Sequence, residues 1–151
     1  AEKVKKKYQA LVVGMWTQGD LQVAHTLKTQ RSSGLMKKSV IDAKGKSSYS
    51  IFCPINIMNG YSLVEVILVT GRLHQVRAQS AALGFPVAGD RIYGEKKAND
   101  QLKKLGLFRQ FLHASSVQFN HPISGALVTA EASLSEDLKK VLHSIETKNS
   151  G

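Results

Sequence analysis

Cysteine is nearly absent from this chain. Its 151 residues include a single cysteine, Cys53, so no disulfide can form within it. Cys53 lies between Phe52 and Pro54, a setting that favours a buried, inert thiol over a nucleophile. A chain of this composition offers no argument for secretion. The cysteine content therefore excludes a disulfide-stapled domain and makes thiol chemistry a poor candidate.

Long apolar runs and metal-ligand patterns are missing as well. No apolar run approaches the ~18 residues needed to cross a bilayer, so we expect no membrane partner. The apolar stretch after the N-terminal lysines is broken at Gly14 and fits a strand better than a signal peptide. The five histidines and the cysteine show no spacing typical of a zinc site. We therefore predict no metal site.

Acidic residues are scarce relative to basic ones. The chain has 11 Asp and Glu against 21 Lys and Arg, which gives a net charge of +10 and a sequence pI of about 9.8. Such a balance favours a polyanionic partner, with nucleic acid first and an anionic membrane surface second. The alternative is a basic protein whose charge serves solubility alone.

The order of patterns along the chain predicts one α+β domain with a mixed, mostly antiparallel sheet and flanking helices. Asn59–Gly60 is a strong hairpin signal, Pro54 weakens or bulges its strand, and the polar segment 28–38 reads as an exposed loop. The predicted strands cover residues 8–13, 22–27, 39–43, 48–57, 62–69, 111–120 and 126–132. The predicted helices cover residues 72–83, 99–105 and 133–146.

The segment "VTGRLHQVRAQSAALGFPVAGDRIYG", residues 69–94, carries the clearest chemistry. It predicts a helix that begins near Arg72, with His74 and Gln75 in its first turn, where unpaired N–H groups favour an anion. Arg77 falls beside the apolar stripe, where a guanidinium needs an anionic partner. That partner is a carboxylate such as Glu65, an RNA phosphate, or each in turn. Asp90 is expected to bond its own turn.

This segment resembles the bacterial large-subunit pseudouridine synthases of the RluA/RluC/RluD type, which carry "TGRxHQxRxH…LGxPxxGDxxYG". Three further segments follow the family's order: "KKYQALVVG" resembles "KxYxAxVxG", "GKSSYSIF" resembles "GKxAxTxF", and "FLHASSVQFNHPISGALVTAEASLSEDL" resembles the family's ending. The four blocks span nearly the whole chain. This chain departs from the pattern with Leu73 where the family has Thr and Gln79 where it has a second His.

The resemblance implies a pseudouridine synthase catalytic fold and the isomerisation of uridine in large-subunit ribosomal RNA, without a cofactor, in the cytoplasm. It implies that Arg77 pairs with the nucleophilic aspartate, that Tyr8 stacks on the flipped uracil, and that Leu112 lines the same pocket. The RNA-contacting residues implied by position are Arg72, His74, Gln75, Lys5, Lys6 and Lys7.

The family's nucleophile lies in an "RLDxxTSG" segment, and these 151 residues contain no such segment. We therefore expect residues 1–151 to be the C-terminal portion of a catalytic domain, inactive alone, whose partners are ribosomal RNA and the upstream half of the same domain. A homo-oligomer is not expected for the parent enzyme. Two alternatives stay open, namely an RNA-binding module without catalysis and a scaffold for an acidic protein partner.

Overall fold

One antiparallel sheet of seven strands dominates this computed structural model, which describes residues 4–31 and 36–147. The strand order is β3-β2-β4-β5-β1-β6-β7, and each neighbouring pair of these strands is antiparallel. The α+β class is confirmed, and the described strands form no parallel pair. The strands are β1 (Lys5–Val13), β2 (Leu21–Arg31), β3 (Lys37–Ile41), β4 (Lys46–Met58), β5 (Tyr61–Leu68), β6 (Leu112–Asn120) and β7 (Leu127–Glu131). The helices are α1 (Gln75–Ala82), α2 (Lys96–Lys103) and α3 (Glu136–Thr147).

The β4–β5 hairpin forms as its sequence predicts. Asn59 and Gly60 both have positive φ, 50° and 87°, and they connect the paired residues Met58 and Tyr61. Positive φ at both central residues is the requirement of a tight two-residue hairpin, which asparagine and glycine meet at low cost. The register of β4 shifts just after Pro54, so the proline coincides with a bulge and the ladder absorbs its missing N–H.

The predicted loop over residues 28–38 is wrong at both of its ends. Strand β2 continues to Arg31 and β3 begins at Lys37, with Thr29 paired to Ser39. Residues 28–31 of β2 extend beyond its ladder with β4 and pair only with the edge strand β3, so backbone pairing continues there without an apolar core to bury. Residues 32–35 of the predicted loop lie outside the described residues.

The two faces of the sheet bury different cores. On one face, called the α1 face, Ala10, Val12, Phe52, Val64 and Val66 pack with Val76 of α1 and with Trp16. On the other face, Leu11 and Leu63 pack with Leu102 of α2 and with Leu138, Val141 and Ile145 of α3. Because strand side chains alternate between the two faces, α1, which carries the basic motif, packs on one face, and α2 and α3 cover the other. In the described part of the chain, no helix has the length and apolar character to span a membrane.

Helix α1 begins later than the sequence predicts. It starts at Gln75, and His74 before it has left-handed backbone dihedrals, φ 50° and ψ 30°. Arg72 and Leu73 therefore belong to the connection from β5 and not to the first helical turn. The end of the helix matches the prediction, with Leu83 as C-cap and Gly84 at φ 87°.

Candidate active site

Six of the nine predicted site residues line one cleft of about 350 Å³ between the sheet and the start of α1. We call it the Tyr8 cleft. Tyr8 comes from β1, and Leu112 is the first residue of β6, which pairs with β1. The volume lies within the range of small-ligand pockets, about 300–1,000 Å³. The lining residues are Tyr8, Leu68, Arg72, His74, Gln75, Val76, Arg77, Gln110 and Leu112.

Arg77 has a protein carboxylate as its partner, and that carboxylate is Asp90. Its Nε lies 2.7 Å from Oδ2 and its Nη2 lies 2.9 Å from Oδ1, and both residues are buried. The predicted alternative partner, Glu65, is wrong: Glu65 lies opposite Gln9 and lines a hollow with Lys7 on the other face of the sheet. The expected bonds of Asp90 to its own turn do form, since its Oδ1 accepts the N–H groups of Ile92 and Tyr93.

The ion pair decides the charge states of both groups. Burial would raise the pKa of Asp90, but hydrogen bonds from Arg77, Tyr93 and Ile92 outweigh it and hold that pKa below its ordinary value. The hydrogen bond to Asp90 raises the pKa of Arg77 against the opposing effect of burial. Among the hydrogen bonds of the described residues, none uses Nη1 of Arg77. Arg77 also lines the Tyr8 cleft.

Tyr93 supports Arg77 and His74 from behind the cleft. Its ring centroid lies 5.3 Å from Cζ of Arg77, a cation–π distance. Its hydroxyl oxygen accepts the Ser39 N–H at 2.7 Å and lies 3.0 Å from Nδ1 of His74. Burial, followed by the charge of Arg77, lowers the pKa of His74, so the imidazole is neutral near pH 7. A neutral imidazole either accepts from the Tyr93 O–H at Nδ1 or donates to its oxygen, according to its tautomer.

Gln75, a predicted RNA contact, is bonded within the protein. Its side chain is buried and its amide is fully used within the protein. Oε1 accepts from the Thr70 hydroxyl and the Arg72 N–H, while Nε2 donates to the Tyr49 carbonyl and the Ser50 hydroxyl. Gln75 therefore fastens the loop before α1 to strand β4, and it is not free to contact RNA. The burial of this amide could not be read from the sequence, because Gln75 lies at a polar helix start.

Arg72 is held in place but stays accessible. Its Nε and Nη2 donate to the Ser47 carbonyl at 3.0 and 2.9 Å, and the residue is partly exposed at the rim of the Tyr8 cleft. A guanidinium anchored through one edge presents its remaining donors in a fixed direction. This placement agrees with a contact to the sugar–phosphate backbone.

The three predicted lysines are divided between the two faces of the sheet. The β1–β5 register places Lys6 on the side of Tyr8 and Lys7 on the side of Gln9. Lys7 lines a separate hollow with Glu65 and Glu131, and Lys5 shares its direction along the strand. Only Lys6 therefore extends the basic surface beside Tyr8, and the expected run of three is reduced to one.

Two residues of the site were not predicted from the sequence. Tyr93 and Gln110 received no role, although Tyr93 ends the "GDRIYG" part of the recognised segment. The pairing of Asp90 with Arg77, thirteen positions apart, brings Tyr93 against the guanidinium. Within residues 4–31 and 36–147, no three His, Cys, Asp or Glu side chains are placed to hold a metal ion.

The comparison with known proteins agrees with this geometry. Residues 1–82, which include Tyr8 and the start of α1, match the family model described as RNA pseudouridylate synthase. The chain belongs to the RNA pseudouridylate synthase family. Its resemblance to the RluA/RluC type is likewise confirmed by curated relatives.

Two of these relatives are ribosomal large subunit pseudouridine synthases C. The protein of Pasteurella multocida (strain Pm70) is 38% identical over 149 residues, covering 97% of this chain and 45% of the relative. That of Haemophilus influenzae (strain Rd) is 39% identical over 144 residues, covering 94% of this chain and 44% of the relative. The chain thus spans a little less than half the length of these curated relatives.

Solved structures carry the same fold. Human RNA Pseudouridylate Synthase Domain Containing 1 superposes with a TM-score of 0.73 at 26% identity, covering 87% of this chain and 55% of that one. Human RNA Pseudouridylate Synthase Domain Containing 4 superposes with a TM-score of 0.68 at 21% identity, over 94% of this chain and 62% of that one. The second likeness supports the fold alone.

Proposed function

We propose that this chain supplies the base-binding side of an RNA pseudouridine synthase that acts on large-subunit ribosomal RNA in the cytoplasm. The observation that carries the proposal is the convergence of Tyr8, Arg77 and Leu112 on one cleft, although they come from β1, α1 and β6. The names of the curated relatives support the ribosomal substrate.

The proposed reaction breaks the N1–C1′ bond of uridine, turns the base, and forms the C5–C1′ bond, with the C5 proton transferred away and N1 protonated. The base must leave the RNA stack for this to occur. Tyr8 stacks on the uracil, and its hydroxyl is the candidate to relay the C5 proton, passing its own proton on as it takes up the one from C5. Leu112 packs against the base, while Arg72 and His74 contact the backbone around it.

We propose further that the nucleophilic carboxylate comes from outside this chain. Asp90 cannot serve, because it is buried and its two oxygens already accept four hydrogen bonds. None of the described residues that line the Tyr8 cleft is acidic. Nη1 of Arg77 is the donor available to hold an incoming aspartate ionised. This corresponds to a C-terminal portion of a catalytic domain that needs its upstream half, and no homo-oligomer is required.

The test is tritium release from large-subunit ribosomal RNA labelled at C5 of uridine. The chain is assayed alone and after fusion to the corresponding upstream segment of the Pasteurella multocida relative. We expect release only from the fusion. Tyr8→Phe in the fusion should abolish release, whereas Tyr61→Phe, which also removes one tyrosine hydroxyl but beside the α2–α3 core, should leave it unchanged.

Each alternative has its own result in this assay. Release by the chain alone would show that one of its own carboxylates is the nucleophile and would refute the division proposed here. A folded fusion that binds RNA without releasing tritium would favour an RNA-binding module without catalysis. Binding that competitor RNA does not affect would favour the acidic-protein scaffold.

A further inference from the structure

A second cleft adjoins the Tyr8 cleft and shares Arg72 with it. We call it the Lys46 cleft. It encloses about 460 Å³ between the β2–β3 hairpin, the β3–β4 turn and the loop before α1. Lys28, Lys44, Lys46 and Arg72 line it, and none of its described lining residues is acidic. The remaining lining residues are Leu27, Thr29, Ser39, Gly45, Gly71 and Leu73.

The carboxylates of the described strands lie on one face of the sheet only. Lys46 lies opposite Leu27, Arg31 lies opposite Lys37, and Lys6 shares the direction of Tyr8, so all four cations point to the α1 face. The strand carboxylates, Glu65 and Glu131, point to the other face, where they line a hollow with Lys7. Among the described strand residues, therefore, the α1 face carries cations without a balancing carboxylate.

One cross-strand pair strengthens this argument. Arg31 and Lys37 are directly opposite each other at the end of the β2–β3 hairpin, and both are exposed. Like charges in this position repel and destabilise a hairpin. An anionic ligand lying along the hairpin would remove that repulsion. The cations form a strip from Lys6 through Arg72 and Lys46 to Arg31, which is an extended polyanion site and not a pocket for one small anion.

The walls of the Lys46 cleft are fixed by the fold before any ligand arrives. Gly45 lies so close to the Leu27 backbone that an added Cβ would come within 2.4 Å of the Leu27 carbonyl carbon. The Lys44 N–H is bonded to the Asp42 carboxylate, and Arg72 is anchored to Ser47 across the cleft. The turn that carries Lys44 and Lys46 is therefore packed flat on β2, with both lysine side chains exposed.

We propose that the Lys46 cleft binds backbone phosphates of the RNA strand that continues from the uridine in the Tyr8 cleft. The inference rests on the proposed function, and it adds the path of the RNA across the protein. Arg72 lies where the strand passes from one cleft into the next. The ligand is recognised by phosphate charge, without base contacts, so the site adds affinity and orientation but no sequence preference.

The test uses the 151-residue chain and a labelled single-stranded RNA of about twelve nucleotides with one central uridine. RNA binding by the unaltered chain and by the double variant Lys44→Gln/Lys46→Gln is measured by fluorescence anisotropy over a range of salt concentrations. A matched control, Lys97→Gln/Lys140→Gln, removes the same charge from exposed positions on α2 and α3. Loss of two phosphate contacts should reduce the slope of log affinity against log salt by about 1.4, and the control should not change it.

The outcomes separate this inference from the function on which it rests. If both double variants bind alike while the unaltered chain binds RNA, the Lys46 cleft is not a phosphate site and the proposed function stands. If neither the unaltered chain nor its fusion to the upstream segment binds RNA, the proposed function itself fails. Displacement of the RNA by polyglutamate as readily as by unlabelled RNA would overturn the assignment to RNA. Urea midpoints of both variants, followed by Trp16 fluorescence, check that they remain folded.

Discussion

Breaking the Arg77–Asp90 pair should destabilise the fold far more than breaking a comparable pair at the surface. In Asp90→Asn the guanidinium stays buried without its countercharge, while the amide oxygen still accepts the N–H groups of Ile92 and Tyr93. Two charges about 4 Å apart attract by about 4 kcal/mol at an effective dielectric constant of 20. Removing one partner of a buried pair costs about 3–5 kcal/mol. Because the turn bonds survive, we expect a loss near 3 kcal/mol.

The assay is urea unfolding followed by the fluorescence of Trp16, the single tryptophan, which is buried and stacked on Phe52. The matched control is Asp137→Asn, which breaks the Arg109–Asp137 pair. Its side chains are 47% and 53% exposed, so solvent screens the charges and the expected cost is under about 1 kcal/mol. This holds although Arg109 and Ser135 lower the pKa of Asp137 to about 2.

The double variant Arg77→Met/Asp90→Asn completes a thermodynamic cycle. Without the guanidinium, the double variant contains no unpaired buried charge. Its free energy of unfolding should therefore be about 2 kcal/mol higher than the sum of the two single changes predicts. Equal losses for Asp90→Asn and Asp137→Asn, or full additivity in the cycle, would refute the claim that burial of this pair is what makes it matter.

Three further predictions follow from the same contacts. The pKa of His74 is lowered in the folded state, so its contribution to the free energy of unfolding is complete above about pH 6.5 and is lost as pH falls through the folded pKa. His74→Gln should therefore weaken the dependence of the urea midpoint on pH between pH 7 and 5. An unchanged dependence would contradict this. Tyr93→Phe removes the hydroxyl bonded to Ser39 and His74 and should cost about 1–2 kcal/mol in the same unfolding assay, while Tyr61→Phe should cost less. Gly45→Ala places a methyl group against the Leu27 backbone and should lower the free energy of unfolding by about 1–3 kcal/mol. Gly19→Ala is the comparison, because its methyl group meets no neighbour while its φ of 72° strains the backbone. The pair of variants thus distinguishes the effect of crowding from that of backbone strain.

The sheet and its hairpin could be predicted from the sequence because the signals for them are local. Asn59–Gly60 requires only the dihedrals of two residues, and Pro54 requires only its missing N–H, so both outcomes follow from short-range chemistry. The extension of β2 and β3 into a polar segment was missed, since backbone pairing at an exposed edge leaves no apolar alternation to detect. The family resemblance identified Tyr8, Arg77 and Leu112, which composition and periodicity alone would have left as ordinary strand and helix residues.

The hydrogen-bond and ion-pair partners of the site residues could not be predicted in the same way. Nothing in the spacing of Arg77 and Asp90 distinguishes a buried ion pair from an Asp that bonds only its own turn. Gln75 and Arg72 sit three residues apart and look equally polar, yet one is buried with four internal bonds and the other is anchored at a cleft rim. Those differences arise from how the β5–α1 connection packs on β4, which is a tertiary property.

The Arg77–Asp90 pair also limits how the Tyr8 cleft attracts an anion. The Arg77–Asp90 pair carries no net charge, so in the proposed function Arg77 attracts an incoming aspartate only at short range, through the donors that Asp90 does not use. Long-range attraction of RNA must therefore come from groups without such a partner carboxylate, among which Arg72 and Lys46 line the adjoining cleft. We therefore propose that different cations position the nucleophile and capture the substrate. Asp90→Asn should then strengthen RNA binding while lowering the activity of the fused enzyme, because it frees a charge at the site and loosens the guanidinium that must hold the aspartate in place.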